Sequence, residues 1–313
     1  ALGDRLVDLG FGAGWAVASR TPPAVTAGLF DAIGRRLWAG HGAGVRQLEA
    51  NLSRAVPTAS EDELRELSRA AMASYFRYWH EVFRLPSEPR QRIVNAVVTV
   101  GEAPLREAMA QQRGAVVALP HMGNWDHAGA WASLTGMPVT AVAERLRPQS
   151  LFDRFVGYRE QLGIEVVGLA KPDASVPGAP VPRSDRSTVL TLREALRRGR
   201  LVCLVADRDL SRNGVPVTLL GEAARLPAGP AALARLADAA LFAVTLSYSG
   251  PLLRLTISYP VPPRPGSAGL RAMTQDVADH FSAGIRQTPA DWHMLQPVFA
   301  ADLASQPAAP AAA

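Results

Sequence analysis

The residues best suited to chemistry lie in one short run, His121-Met122-Gly123-Asn124-Trp125-Asp126. An imidazole beside a carboxylate makes a general base. The carboxylate fixes the tautomer and stabilises the imidazolium as it forms, and the free ring nitrogen takes a proton from a hydroxyl. On one continuous helix, residues five apart are about 500° apart and face different ways. The pair can therefore meet only if His121 lies in a loop and Asp126 in the first turn of the helix that follows. The bare spacing is common by chance, so its context has to carry the reading.

That context is a strand, a corner and a helix. Val116-Val117-Ala118-Leu119 reads as a buried strand, Pro120 cannot continue a central ladder, and Asn124 is a good N-cap. His121 then sits at the carboxyl end of a strand, where open α/β sheets place their ligands.

Other charged residues fall at comparable places. Glu144 ends a candidate strand and is followed by Arg145 and Arg147, Arg159 lies late in the next helix, and Asp207-Arg208-Asp209 ends a further strand. Arg offers a planar fork for phosphate and carboxylates accept from hydroxyls, so together they suit a cleft that recognises an anion and a sugar. Each alone is also what a solvated loop would show. The run Gly221 to Pro230 leads into a helix whose amides suit another anion, or it is simply a helix start with Pro in its first turn. The one cysteine, Cys203, lies in an apolar run and reads as a buried strand residue. No paired ligand spacing suggests a metal.

The chain has 313 residues, 48% hydrophobic and 19% charged, enough to bury a substantial core. Its formal charge is +5 and all but one of its 33 basic residues are Arg, the exception being Lys171, a bias typical of a GC-rich genome. The positive balance favours anionic partners such as a lipid surface or a phosphorylated co-substrate. Nucleic acid is disfavoured, because no dense Arg tract with interleaved aromatics is present. No run of eighteen uninterrupted apolar residues and no signal peptide is evident, which places the protein in the cytoplasm or peripherally on the cytoplasmic face of a membrane.

Residues 1–56 read as helices broken at Pro22-Pro23, and they either pack on the core or lie at a lipid interface. Ser60 and Glu63 form a capping box opening a helix that Pro86 ends. From residue 96, candidate strands at 97–100, 115–119, 139–143, 164–168, 201–206, 241–248 and 252–259 alternate with helices at 102–112, 125–135, 149–162, 187–199 and 228–239. Alternation of this kind predicts an α/β fold, a mostly parallel sheet with helices on both faces, closed by an antiparallel hairpin around Ser249-Gly250-Pro251. We read residues 1–303 as a single domain, 171–186 as a surface insertion and the tail from 304 as disordered.

The run from His121 to Asp126 resembles the His-x4-Asp acyltransferases of glycerolipid and lipid A synthesis. Phe152-Asp153-Arg154, Tyr158 to Gly163, Asp207-Arg208-Asp209, and Gly214 to Val217 with Gly221-Glu222-Ala223 extend the resemblance over about residues 40–300. This fuller set is similar to the lipid A branch and, within it, to the mycobacterial-type acyltransferases of phosphatidylinositol mannosides. Glycerophosphate-type members usually have Asn before the histidine and a Pro-Glu-Gly-Thr-Arg block later. Here Pro120 and Asp207-Arg208-Asp209 stand in those places, which argues against a glycerol phosphate acceptor.

The resemblance implies that His121, held by Asp126, activates a mannose 6-hydroxyl that attacks the thioester of a fatty acyl-CoA, palmitoyl being expected. Acyl-CoA is then a co-substrate and no cofactor is needed. Glu144, Arg159 and Asp207 would be acceptor-site residues or structural supports of the cleft, and Arg208 would join them in binding substrate. Two alternatives differ in donor or in class: an acyl carrier protein-dependent lipid A precursor acyltransferase, and a non-catalytic lipid-binding module that would leave the His121/Asp126 pair unexplained.

Overall fold

The structure is a computed structural model, and it describes residues 21–143, 149–168, 186–209 and 214–304. The expected helix around Leu6 to Val17, Glu144 with Arg145 and Arg147, the insertion apart from its last residue, and the tail beyond 304 lie outside the described residues.

Three helices open the described chain: α1 (Pro23–Ala39), α2 (Ala43–Ala55) and α3 (Glu61–Arg84). The capping box forms as expected, with Ser60 Oγ accepting from Glu63 N and Glu63 Oε2 accepting from Ser60 N. Gly34 of α1 lets that helix approach α3 closely, because a Cβ there would meet the Phe76 ring at 3.0 Å. Leu48 and Leu52 of α2 join Ala71 and Met72 of α3 in a small separate core. A 3-10 turn at Leu85–Ser87 and a short helix, α4 (Arg90–Asn95), lead to the sheet.

The rest of the chain is β1 (Val97–Val100), α5 (Glu102–Ala110), β2 (Ala115–Leu119), α6 (Trp125–Leu134), β3 (Val139–Ala143), α7 (Gln149–Gln161), β4 (Ile164–Gly168), α8 (Arg186–Arg197), β5 (Leu201–Val205), β6 (Val215–Leu219), β7 (Glu222–Leu226), α9 (Gly229–Ala237), β8 (Ala240–Ser249), β9 (Leu252–Ile257), α10 (Gly266–Gln287), a 3-10 turn at Pro289–Asp291 and α11 (Ala300–Ala304). Seven strands form one sheet in the order β1-β9-β8-β2-β5-β3-β4, parallel throughout except for the β8–β9 hairpin. The expected α/β fold is therefore present. Every residue of β2 is buried, as its unbroken apolar run requires of a central strand covered on both faces.

Two elements were not expected. β6 and β7 form a separate antiparallel hairpin whose two-residue turn, Leu220-Gly221, has positive φ at both positions (52° and 96°). α10 is a 22-residue helix that lies against β8 through Gly284, where a Cβ would come within 2.5 Å of Thr245 Oγ1. Since Val244 and Leu246 point to the opposite face from Thr245, α10 covers one face, while α5 and α6 cover the other across an apolar cavity.

Candidate active site

Parallel pairing sets the central geometry. β2 and β5 are neighbours in register, with Leu119 opposite Val205, and Ala206 N extends the ladder to Leu119 O at 2.8 Å. Two residues further along each strand stand His121 and Asp207. His121 Nδ1 lies 2.6 Å from Asp207 Oδ1, and Asp207 Oδ2 accepts from the His121 backbone N–H at 3.0 Å. The same oxygen accepts from the indole N–H of Trp292 at 2.9 Å. Asp207 is fully buried, whereas the His121 side chain is 39% exposed, with Nε2 unpartnered among the described residues.

The carboxylate that holds His121 is thus Asp207, and the expectation that Asp126 does so is corrected. Asp126 sits at the second position of α6 and turns toward α3 and α7. Its Oδ1 accepts from Arg159 Nε at 2.6 Å and its Oδ2 from the Tyr78 hydroxyl at 3.2 Å. Arg159, expected at the acceptor site or as a support of the cleft, is the buried counter-ion of Asp126, a supporting position. Asp207, expected in the same two ways, has both oxygens committed to His121 and Trp292. Arg208 lies half-buried beside the pair with no carboxylate partner among the described residues, and Glu144 lies outside them. Asp209 Oδ2 accepts from Gly214 N at 2.6 Å.

The electrostatics follow the geometry. Burial pushes the His121 imidazole toward neutrality, but the charge of Asp207 and its hydrogen bond outweigh that and raise the pKa above its ordinary value, with Arg208 opposing. Burial likewise raises Asp207, yet His121, the Trp292 indole and the His121 N–H together hold it below the usual carboxylate value. Burial and the Asp126 charge raise the Tyr78 hydroxyl well above its ordinary value, so it stays a donor.

The His121 loop is fixed from two sides. Asn124 caps α6, with Oδ1 accepting from His127 N at 2.9 Å and Nδ2 donating to Glu81 Oε2 at 2.8 Å. Gly123 has φ 52° and packs so closely that a Cβ would lie 3.0 Å from Leu246 Cβ. From the other side, residues 291–293 bond along the loop: Gly123 N donates to Asp291 O at 3.0 Å and His293 N to His121 O at 2.8 Å. Behind them Ser74 Oγ donates to Asp291 Oδ1 at 2.7 Å and lies 2.9 Å from His293 Nε2. Burial drives the His293 pKa down to about 3, so it is a neutral brace. Trp292, Asp291 and His293 were not singled out in the sequence, because nothing local to residue 292 says that it reaches residue 207.

Beside the pair lies an apolar cavity between the sheet and α5–α6. Leu119, Val205, Val142 and Leu246 line it from the sheet, Trp125 and Trp131 from α6, and Asp126 and Arg159 supply its polar residues. The Trp125 ring is 5.6 Å from that of His121, so His121 and the cavity adjoin. Among the described residues no cluster of His, Cys, Asp and Glu is arranged to hold a metal ion, and no helix is long and apolar enough to cross a membrane. Cys203 lines the cavity, and burial lifts its thiol to about 12, which leaves it protonated and inert.

The family model of the bacterial lipid A biosynthesis acyltransferases matches residues 5–300. The phosphatidylinositol mannoside acyltransferase of Mycolicibacterium smegmatis is 43% identical over 305 residues, covering 97% of this chain and 95% of its own length. The protein of the same name from Mycobacterium tuberculosis is 41% identical over 308 residues, covering 95% of this chain and 89% of its own. With a matched model over nearly its whole length and such relatives beside it, this chain belongs to the bacterial lipid A biosynthesis acyltransferase family.

Proposed function

We propose that this acyltransferase moves a fatty acyl group, palmitoyl in the first instance, from acyl-CoA to the 6-hydroxyl of a mannose in a phosphatidylinositol mannoside. The acceptor is taken from the names of the relatives. The observation that carries the reading is the buried Asp207 holding an accessible His121 at the edge of an apolar cavity.

His121 Nε2 takes the proton of the mannose hydroxyl as its oxygen bonds to the thioester carbonyl carbon. The C–S bond then breaks, and the imidazolium returns the proton to the departing CoA sulfur. Asp207 stabilises the imidazolium between these steps, and general-base help of this kind is worth about 10²- to 10⁴-fold. The acyl chain lies in the cavity, where each methylene taken from water contributes about 0.8 kcal/mol. Arg208, with Glu144, meets the anionic, hydroxyl-rich acceptor. Asp126 and Arg159 frame the cavity as a structural ion pair.

The test is thiol release from palmitoyl-CoA with and without a phosphatidylinositol mannoside. Acceptor-dependent release is expected from the unaltered protein and none from His121→Ala. Asp207→Asn should lose about 10³-fold and move the acidic limb of the pH profile to lower pH, since the charge that raises the His121 pKa is gone. Asp126→Asn should instead lower the unfolding free energy by about 3 kcal/mol by leaving Arg159 buried and unpaired. If Asp126→Asn shifts the pH limb and Asp207→Asn does not, Asp207 is not the orienting carboxylate. If release occurs only with an acyl carrier protein donor, the donor assignment fails.

A further inference from the structure

The apolar cavity has two ends. Near the base it is lined by Leu119 and Val205, each two residues before a member of the His121/Asp207 pair. At the far end it is lined by Val139 and Leu201, the first residues of their strands, and by Met137. The four residue steps from Val205 to Leu201 give a depth of about 13 Å along the strands. Beyond Met137 lies a second, surface groove at the amino ends of the strands, bounded by Arg106, Gln112, Arg197 and Arg198. Among the described residues Met137 alone lines both spaces, and it is 1% exposed.

Its backbone is held on both sides. Met137 N donates to Ala132 O at 2.9 Å, Gly136 turns the chain with φ 91°, and Pro138 follows, its carbonyl accepting from Leu201 N at 2.8 Å. The movable part of the partition is therefore the thioether side chain, unbranched and adaptable.

We propose that Met137 closes the far end of the acyl channel and sets the longest acyl chain that this enzyme transfers. The inference rests on the cavity being the acyl site. A chain that stops short of Met137 ends among Leu105, Val139 and Leu201. A longer one has to displace the thioether and place its end among the guanidinium groups of the outer groove. Each methylene left in water there forfeits about fourfold in binding, so the limit is sharp.

Donors from acetyl- to eicosanoyl-CoA are compared by kcat/KM, with the thermal midpoint of each variant as the check on folding. Met137→Ala removes about three methylene-sized atoms and should extend the longest well-used chain by about two to four carbons, and Met137→Phe should shorten it. Ala141→Trp, midway along the channel, should depress every long donor while sparing acetyl-CoA. If Ala141→Trp does this and both Met137 variants keep the original profile, or shift it in the same direction, the assignment to Met137 is overturned and the acyl site stands. If Ala141→Trp leaves long-chain transfer untouched, the acyl site itself is elsewhere and the proposal falls with it.

Discussion

At His121 two opposing effects meet, the desolvation that favours a neutral ring and the Asp207 charge that favours a protonated one, and the second prevails. His293, whose N–H bonds to the His121 carbonyl, has burial and repulsion from His121 acting in the same direction, and it stays neutral far into the acid range. The contrast has a measurable consequence for stability. The folded-state pKa of His293, about 3, lies below the ordinary 6.5 or so of an unfolded histidine. Its contribution is therefore complete above that value and is lost as the pH falls toward 3, by about 1.4 kcal/mol per unit. Denaturant unfolding at pH 7 and pH 5 should show the wild-type protein losing more stability than His293→Gln over the same interval. Equal losses would mean that His293 is protonated in the folded state. At this scale the sequence singled out His121 and misassigned the carboxylate that pairs with it. A carboxylate five residues away is visible in the chain, whereas one 86 residues away becomes a neighbour only when β2 and β5 pair in their observed register.

The elements divide by how local their causes are. The four-residue run at 97–100 and the run at 115–119 were legible to the residue, because continuous Val-rich stretches bounded by Gly or Pro permit little else. The β6–β7 hairpin carries an alternating burial pattern, but its turn uses Leu220 at φ 52° where Asn would be the usual signal. That leucine is held by burial and by Ser282 Oγ, which accepts from its N–H, a partner on α10 that no local reading supplies. The α10 stripe Leu270, Met273, Val277, Phe281 and Ile285 stands in the sequence at helical spacing, directly after a Pro-rich segment that obscures where the helix begins. Asn124 joins element to site, since it both caps α6 and ties that helix to Glu81 on α3. Asn124→Ala should cost about 2 kcal/mol of unfolding free energy and lower kcat more than it raises KM, because the His121 loop loses its anchor. A stability loss with unchanged kcat would confine Asn124 to capping.

On the whole molecule one helix leaves an apolar face exposed. α1 buries Thr26 and Gly34 against α3 and turns Val25, Leu29, Ile33 and Leu37 outward, with Leu29 55% exposed and Arg35 and Arg36 alongside. An apolar ridge edged by Arg suits an anionic bilayer. Replacing Leu29 and Ile33 by Asp should reduce sedimentation with anionic vesicles at least several-fold while leaving unfolding free energy within about 0.5 kcal/mol. Unchanged sedimentation would mean that this face of α1 does not bind the bilayer.

The brace formed by residues 291–293 also bears on synthesis. Translation delivers His121 first, Asp207 86 residues later and the Trp292 indole a further 85 residues after that. A growing chain therefore carries His121 long before its partners exist. The hydrogen bonds that orient the imidazole and its carboxylate are complete only once residue 292 has been made and has folded back along the His121 loop.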